Sequence, residues 1–367
     1  MTRSLRRVLI VQPYGIGDLL FLTPVLRALR LIPTVEKVDL LLGSRTEAAI
    51  RANPHVDELY SIDKDLFHRR GFFENLRELA GLGAKLRKEN YDLLLDYSMR
   101  GEYAFLSAVF LGIPERAGFD YKNRGFFHNR RLPVPKGFSG KHVTEYYCAL
   151  AALAGIRVED KFLEFYLTPD DRAAAERILR EESIDPDSRF IVLSPGGGES
   201  WGKDAHFKRW PAAYFAEFAD QLASQTQAAA VLITGSPQEK EIGAAIEEKM
   251  KTRAVNLAGK FSLTAAAALI EKSFLFTGND GGLVHIAHAL HVPVIAFYGP
   301  VDPVVYGPFP PSKTAVSIFD ADLECRPCYQ NFRYNAACPD RRCLTELRPE
   351  QVFEILTRKG IFHETFS

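Results

Sequence analysis

The segment Asn279-Asp280-Gly281-Gly282-Leu283-Val284-His285 joins an apolar run, Phe274 to Thr277, to a helical pattern carried by Ile286, Ala287 and Leu290. Glycines at 281 and 282 let backbone come close to a ligand. The free N–H groups at the start of the following helix attract anions such as a diphosphate. The same glycines also suit an ordinary turn between a strand and a helix, so the pattern alone leaves both readings open. A second acid, Asp18, ends Gly15-Ile16-Gly17-Asp18, just beyond the apolar run Val8-Leu9-Ile10-Val11. A carboxylate at a strand tip is placed to take a proton from a hydroxyl, a role worth roughly 10²–10⁴-fold in rate; it is also suited to cap the next helix. A nicotinamide site fits poorly. The third glycine of Gly-x-Gly-x-x-Gly would fall at Leu20, and the second strand ends at Gly43-Ser44-Arg45 with no acid for a ribose.

Two further groups of residues are able to bind something. Residues 116–141 hold Arg116, Lys122, Arg124, Arg130, Arg131, Lys136 and Lys141 against one acid, Asp120, with Phe119, Tyr121, Phe126, Phe127 and Phe138 interleaved. Such a stretch suits nucleic acid, a lipid headgroup or a phosphorylated sugar; no nucleic-acid motif accompanies it, so nucleic acid is not expected. The cysteines Cys325, Cys328, Cys338 and Cys343 have a spacing able to build a tetrahedral zinc site or to pack as thiols, while Cys148 falls on an apolar helical stretch.

These residues need elements to hold them. Strands are expected at Arg7–Pro13, Val38–Leu42, Glu58–Ile62 and Tyr91–Tyr97, with helices to about Leu31, over Glu47–Ala52 and over Phe72–Glu89. Pro24 falls inside the first helix and is expected to kink it or reset its start at Thr23. A second series begins near Thr168. Its strands are Phe190–Leu193, Ala230–Thr234, Val255–Leu257 and Phe274–Thr277, and its helices are Asp170–Glu182, Pro211–Ala223, Gln238–Met250, one capped by Ser262, and Pro349–Lys359. Alternation of strand and helix implies parallel sheets, and in such sheets ligands sit at the carboxyl ends of the strands. The chain, at 367 residues, is long enough for two cores. Net charge is zero, but residues 1–165 carry 25 basic and 20 acidic side chains, which makes the first half the better partner for an anion. No apolar run approaches the ~20 residues of a membrane span, and the first one is too short for a signal peptide. A cytoplasmic protein is expected. The Phe72-Phe73 pair and the Leu76/Leu79/Leu82/Leu86 face suit either core packing or the inner membrane surface.

The wording of these motifs resembles the bacterial heptosyltransferases of glycosyltransferase family nine. Asp280-Gly281-Gly282-Leu283-x-His285-Ile286-Ala287-x-Ala289-Leu290 with Pro293-Val294-Ile295-Ala296 and Tyr298-Gly299-Pro300 is similar to the family's C-terminal signature. Gly15-Ile16-Gly17-Asp18 with Thr23-Pro24 is similar to its N-terminal one. The resemblance spans about Val8 to Leu356. It implies a GT-B α/β fold of two facing Rossmann-like domains with parallel sheets: residues 1–167 for the acceptor, 168–345 for the nucleotide sugar, and a final helix in 346–367 that packs back on the first domain. It implies an inverting, metal-independent transfer of heptose from ADP-L-glycero-D-manno-heptose to the lipopolysaccharide inner core. Asp18 is then the general base. Ser194, Gly196, Gly197 and Lys208 face the donor diphosphate, with Lys203 as a rival lysine. Gly235 and Glu239 belong to the nucleotide pocket, and Asp280, Gly281, Gly282, Leu283 and His285 to the sugar and phosphate. Gly17, Arg100, Arg124, Arg130 and Arg131 face the anionic acceptor on lipid A. The alternatives are a transferase of the same fold with another sugar nucleotide, or a non-catalytic nucleotide-sugar binder.

Overall fold

A computed structural model describes residues 5–63, 72–198, 202–320, 322–335 and 337–361, with the side chains of 72–76, 78, 79 and 203 outside the description. The chain divides into two compact units, Met1–Tyr166 and Leu167–Ser367.

The first unit holds β1 (Arg7–Gln12), β2 (Lys37–Gly43), β3 (Glu58–Ile62), β4 (Leu93–Asp96), β5 (Glu115–Asp120) and β6 (Arg130–Pro133), in the order β3-β2-β1-β4-β5-β6. The second holds β7 (Phe190–Ser194), β8 (Ala230–Ile233), β9 (Ala254–Asn256), β10 (Leu275–Asn279), β11 (Val294–Phe297) and β12 (Ala315–Ile318), in the order β12-β11-β10-β7-β8-β9. Every pairing is parallel. Strands covered by helices on both faces must be apolar throughout. Val8-Leu9-Ile10-Val11 and Phe190-Ile191-Val192-Leu193 are accordingly buried at every position. Strand order reverses between β1 and β4 in one sheet and between β7 and β10 in the other. In open parallel sheets, ligands bind beyond the carboxyl ends of the strands at such switch points. The segments after β1, β7 and β10 carry Asp18, the Gly196–Gly198 turn and Asp280.

The helix after β1, Ile16–Arg30, runs unbroken through Pro24. Proline leaves the Leu20 carbonyl without its usual N–H donor, and the Thr23 hydroxyl donates to that carbonyl at 2.7 Å. The helix therefore does not restart at Thr23, whose hydroxyl repairs it instead of capping it. Among the other expectations, Ser262 does cap its helix, its hydroxyl accepting from the Ala265 N–H at 3.1 Å. Leu86 is buried in the first core with Leu82 packed beside it, while the side chains of Phe72, Phe73, Leu76 and Leu79 lie outside the described residues.

One face of the second sheet buries Trp210, Phe215, Phe218 and Phe297, and the Trp210 ring stacks on Phe297 with centroids 4.3 Å apart. The closing helix, Pro349–Arg358, adds Val352 and Leu356 to this cluster. Its apolar stripe is thus buried in the core of the second unit. No helix of the described residues is long and apolar enough to cross a membrane.

Candidate active site

Asp18 sits in the first turn of the helix Ile16–Arg30, with Gly17 beside it. One carboxylate oxygen accepts from the Gly15 N–H at 3.0 Å, and the other accepts from the Tyr147 hydroxyl at 3.3 Å. Tyr147 is buried and its hydroxyl in turn accepts from the Gln12 side-chain amide at 2.9 Å. The cap bond thus leaves the other carboxylate oxygen turned to a side-chain hydroxyl. The backbone bond fixes the carboxylate, and Tyr147, on the helix Val143–Leu153, aims it. The Tyr14 hydroxyl accepts from the Met99 N–H at 2.8 Å; burial, with Asp18 and Asp96 nearby, pushes its pKa up to about 12, so it stays a neutral phenol. Asp96 ends the neighbouring strand β4 but is fully buried. One of its oxygens accepts from the Ser98 N–H at 2.9 Å and the other lies 3.1 Å from His128. Asp18, half-buried, is the more accessible of the two acids.

The expected acceptor arginines separate into two pairs. Arg100 and Arg124 meet at the start of the helix Gly101–Val109. A methyl at Gly101 would lie 2.9 Å from the Arg124 carbonyl. The Glu102 carboxyl is held below its ordinary range by a backbone hydrogen bond first, then by these two guanidiniums. Arg130 and Arg131 lie on the edge strand β6, three strands from β1, roughly 14 Å at ordinary strand spacing. Arg130 is engaged there by Glu115 at 2.8 Å and by the Leu153 carbonyl at 2.8 Å.

In the second unit Lys208 and Asp280 form an ion pair of 2.7 Å, with both side chains 8% exposed. Asp280 is positioned by its own N–H, which donates to the Phe297 carbonyl at 2.9 Å, and Lys208 by the buried Trp210 two residues on. Asn279 ties the loops together. Its amide oxygen accepts from the Trp210 N–H at 3.0 Å, and its amide nitrogen donates to the Pro195 carbonyl at 2.5 Å. Gly281 starts the helix Gly282–Ala289, where a methyl group would lie 2.9 Å from the backbone of Gly197. The two glycine turns therefore touch, which needs a residue without a side chain. Leu283 is partly buried against the core, and His285 is buried. Lys203 lies outside the described side chains.

Glu239 is buried and engaged. One oxygen accepts from the Gly198 N–H at 3.1 Å and the other from the Ser236 N–H at 2.8 Å. It fills the space against Gly196, where a methyl would sit 1.8 Å from its carboxylate, and it lies close to Gly235. Arg209 donates to the Gly196 carbonyl at 2.9 Å. Glu239 thus clamps the first glycine turn, Ser194 to Gly198, to the turn after β8. Sequence reasoning missed Gln12, Tyr147 and Asn279. The polar ends of otherwise apolar strands at 12 and 279 were the available signal.

All five cysteines are free, and among the described residues no group of three or more His, Cys, Asp or Glu side chains is arranged to hold a metal ion. Of the two readings of the cysteine spacing, zinc finds no support among the described residues. Cys343 is buried in the second core, where burial pushes its thiol up to about 12; Cys325 is exposed.

The arrangement offers a held carboxylate at one switch point and, at the other, a buried cation beside an open helix start, the parts that proton removal and an anionic leaving group require. Comparison with known proteins bears on what chemistry uses them. The lipooligosaccharide heptosyltransferase 2 of Haemophilus influenzae is 28% identical over 326 residues, 86% of this chain and 90% of that protein. The solved ADP-heptose lipopolysaccharide heptosyltransferase II of Escherichia coli superposes with a TM-score of 0.71 at 24% identity, covering 98% of this chain and 99% of that one. An E. coli heptosyltransferase solved with ADP gives 0.69 at 20% identity, covering 96% and 99%. These likenesses give the two-domain GT-B-like α/β fold. The sequence model of glycosyltransferase family 9 (heptosyltransferase) matches residues 79–335, most of the chain and both glycine turns of the second sheet, and on that match the chain belongs to this family.

Proposed function

We propose that the chain is an inverting glycosyltransferase that moves a heptose from ADP-L-glycero-D-manno-heptose to the inner core of lipopolysaccharide. The observation that carries this reading is the Lys208–Asp280 pair, held against the helix start at Gly281–Gly282 in a chain of the heptosyltransferase family. Asp18 takes the proton of the acceptor hydroxyl. The oxygen attacks the anomeric carbon, the bond from that carbon to the diphosphate oxygen breaks, and ADP leaves from the opposite face. Lys208 and the N–H groups of Gly281, Gly282 and Leu283 take up the charge that develops on the diphosphate. Before the donor arrives, Asp280 neutralises Lys208. When it binds, the diphosphate replaces that carboxylate and frees Asp280 for the sugar hydroxyls. Ser194, Gly196 and Gly197 line the phosphate side. Gly235 and the clamp residue Glu239 shape the nucleotide pocket, and His285 supports the phosphate from the helix. Arg100 and Arg124 receive the anionic acceptor, with Arg130 and Arg131 further out. The acceptor is anchored in lipid, so the reaction belongs at the cytoplasmic face of the inner membrane, in peripheral contact with it.

Nucleotide choice tests this reading. ADP is expected to raise the thermal midpoint more than UDP or GDP, because a ligand of the folded state stabilises by mass action. Lys208→Ala is expected to reduce the ADP shift. Equal shifts with all three nucleotides, or an unchanged ADP shift in the variant, would remove the basis for ADP.

A further inference from the structure

Half of the ten strongly exposed large apolar side chains among the described residues fall in one place, which scattered surface residues would not do. They are Phe105 (40% exposed), Leu106 (38%), Val109 (58%), Phe110 (55%) and Phe126 (74%). The first four come from the helix Gly101–Val109 and its cap. Positions 105 and 109, and 106 and 110, form two adjacent rows one turn apart, while Ala104 and Ser107 turn inward. The loop after β5 supplies the fifth. Phe127 bridges the two pieces, its ring 5.1 Å from Phe105 and 5.4 Å from Phe126.

This loop is built, not slack. The Gly125 N–H donates to the Asp120 carboxylate at 3.1 Å, the His128 N–H donates to the Gly125 carbonyl at 2.9 Å, and the Arg116 guanidinium holds the Phe127 carbonyl at 2.8 Å. Bonds on both sides of Phe126 hold it out in water, so little ordering remains to be done when it is covered. The same loop exposes Lys122 and Arg124, and the Arg124 charge acts with that of Arg100 on Glu102. The nearest acids are engaged: Asp120 holds the loop, Glu115 pairs with Arg130, and Glu102 pairs with Arg100.

Aromatic and aliphatic side chains beside exposed cations match a surface whose interior is apolar and whose headgroups are anionic. We propose that the ridge of Phe105, Leu106, Val109, Phe110 and Phe126, with Lys122 and Arg124, docks the first unit on an anionic lipid bilayer. This deepens the reading of a lipid-anchored acceptor and rests on it. The loop that carries Phe126 follows the carboxyl end of β5 and meets the helix at Gly101, so docking would bring a membrane-held acceptor toward the end of the sheet where Asp18 sits.

The test is flotation of the full chain with large unilamellar vesicles of phosphatidylethanolamine and phosphatidylglycerol, compared with phosphatidylcholine alone. The wild-type protein is expected to float with the anionic vesicles. Each of the two cations contributes about fivefold to that preference, and it fades as salt rises from about 0.1 to about 0.5 M. Phe105→Ser/Phe110→Ser/Phe126→Ser is expected to lower partitioning at least roughly tenfold, with its thermal midpoint kept and its turnover of a deacylated, water-soluble acceptor unchanged. Equal binding of wild-type protein and variant, or wild-type binding that ignores lipid charge, would overturn the proposal. So would a variant that changes only from dimer to monomer, since the ridge would then be a contact between copies. Flotation needs no sugar donor. Failure of the lipid surface is thus distinct from failure of the heptosyl-transfer reading, which would appear as no turnover of the soluble acceptor by the wild-type protein.

Discussion

At the scale of single residues, the account depends on Asp18 being held as an unprotonated acceptor. Asp18→Asn keeps shape and still offers an oxygen to the Gly15 N–H, so folding and ADP binding are expected to persist while turnover falls roughly 10²–10⁴-fold. A drop of only a few-fold would transfer the role elsewhere. Tyr147→Phe keeps the ring in its cluster with Tyr97 and Phe119 but removes the hydroxyl that donates to the Asp18 carboxylate. A carboxylate with one donor fewer is less stable in its charged form, so the acid limb of kcat/KM is expected to move to higher pH. A profile that loses height without moving along the pH axis would mean that Tyr147 only packs. The place of Asp18 in the turn after β1 was legible, because a glycine-flanked acid after an apolar run is a local pattern. Tyr147 was not, because its bond to Asp18 spans 129 positions of chain and no periodicity encodes it.

At the scale of elements, Asn279 is the joint of the donor side, since it bonds both the turn after β7 and the Lys208–Trp210 segment. Asn279→Ala leaves the Trp210 N–H and the Pro195 carbonyl without it. Urea unfolding is expected to show a loss of roughly 1–3 kcal/mol for each group left unpaired, with weaker ADP binding. A loss under about 0.5 kcal/mol, the range of an ordinary surface substitution, would show that the joint carries no load. Central strands were legible from sequence because burial on both faces writes them as unbroken apolar runs. The edge strands β6 and β12, and β5 beside β6, were not. Glu115-Arg116-Ala117-Gly118-Phe119-Asp120 and Arg130-Arg131-Leu132-Pro133 carry charges and a proline that the margin of a sheet tolerates, so this stretch read as a basic binding segment. The helix Gly101–Val109 escaped for a related reason: its outward face is apolar, so the usual alternation of buried and polar positions is missing.

At the scale of the whole molecule, two sheets of the same order divide the labour: the acid and the arginines belong to one, and the lysine and glycine turns to the other. The alternation of elements made this division legible, and the observed boundary at Tyr166–Leu167 falls beside the Thr168 cap that marks the second series. The place of the final helix in the second core was not legible, because an amphipathic pattern shows that a face is buried, not what it is buried against. The most direct measurement is a donor screen with the intact chain, an inner-core acceptor, and ADP-heptose beside UDP- and GDP-sugars. The predicted result is transfer from ADP-heptose alone, with release of one ADP per heptose and inversion at the anomeric carbon. Transfer from a UDP- or GDP-sugar in its place, or retention of anomeric configuration, would contradict the account.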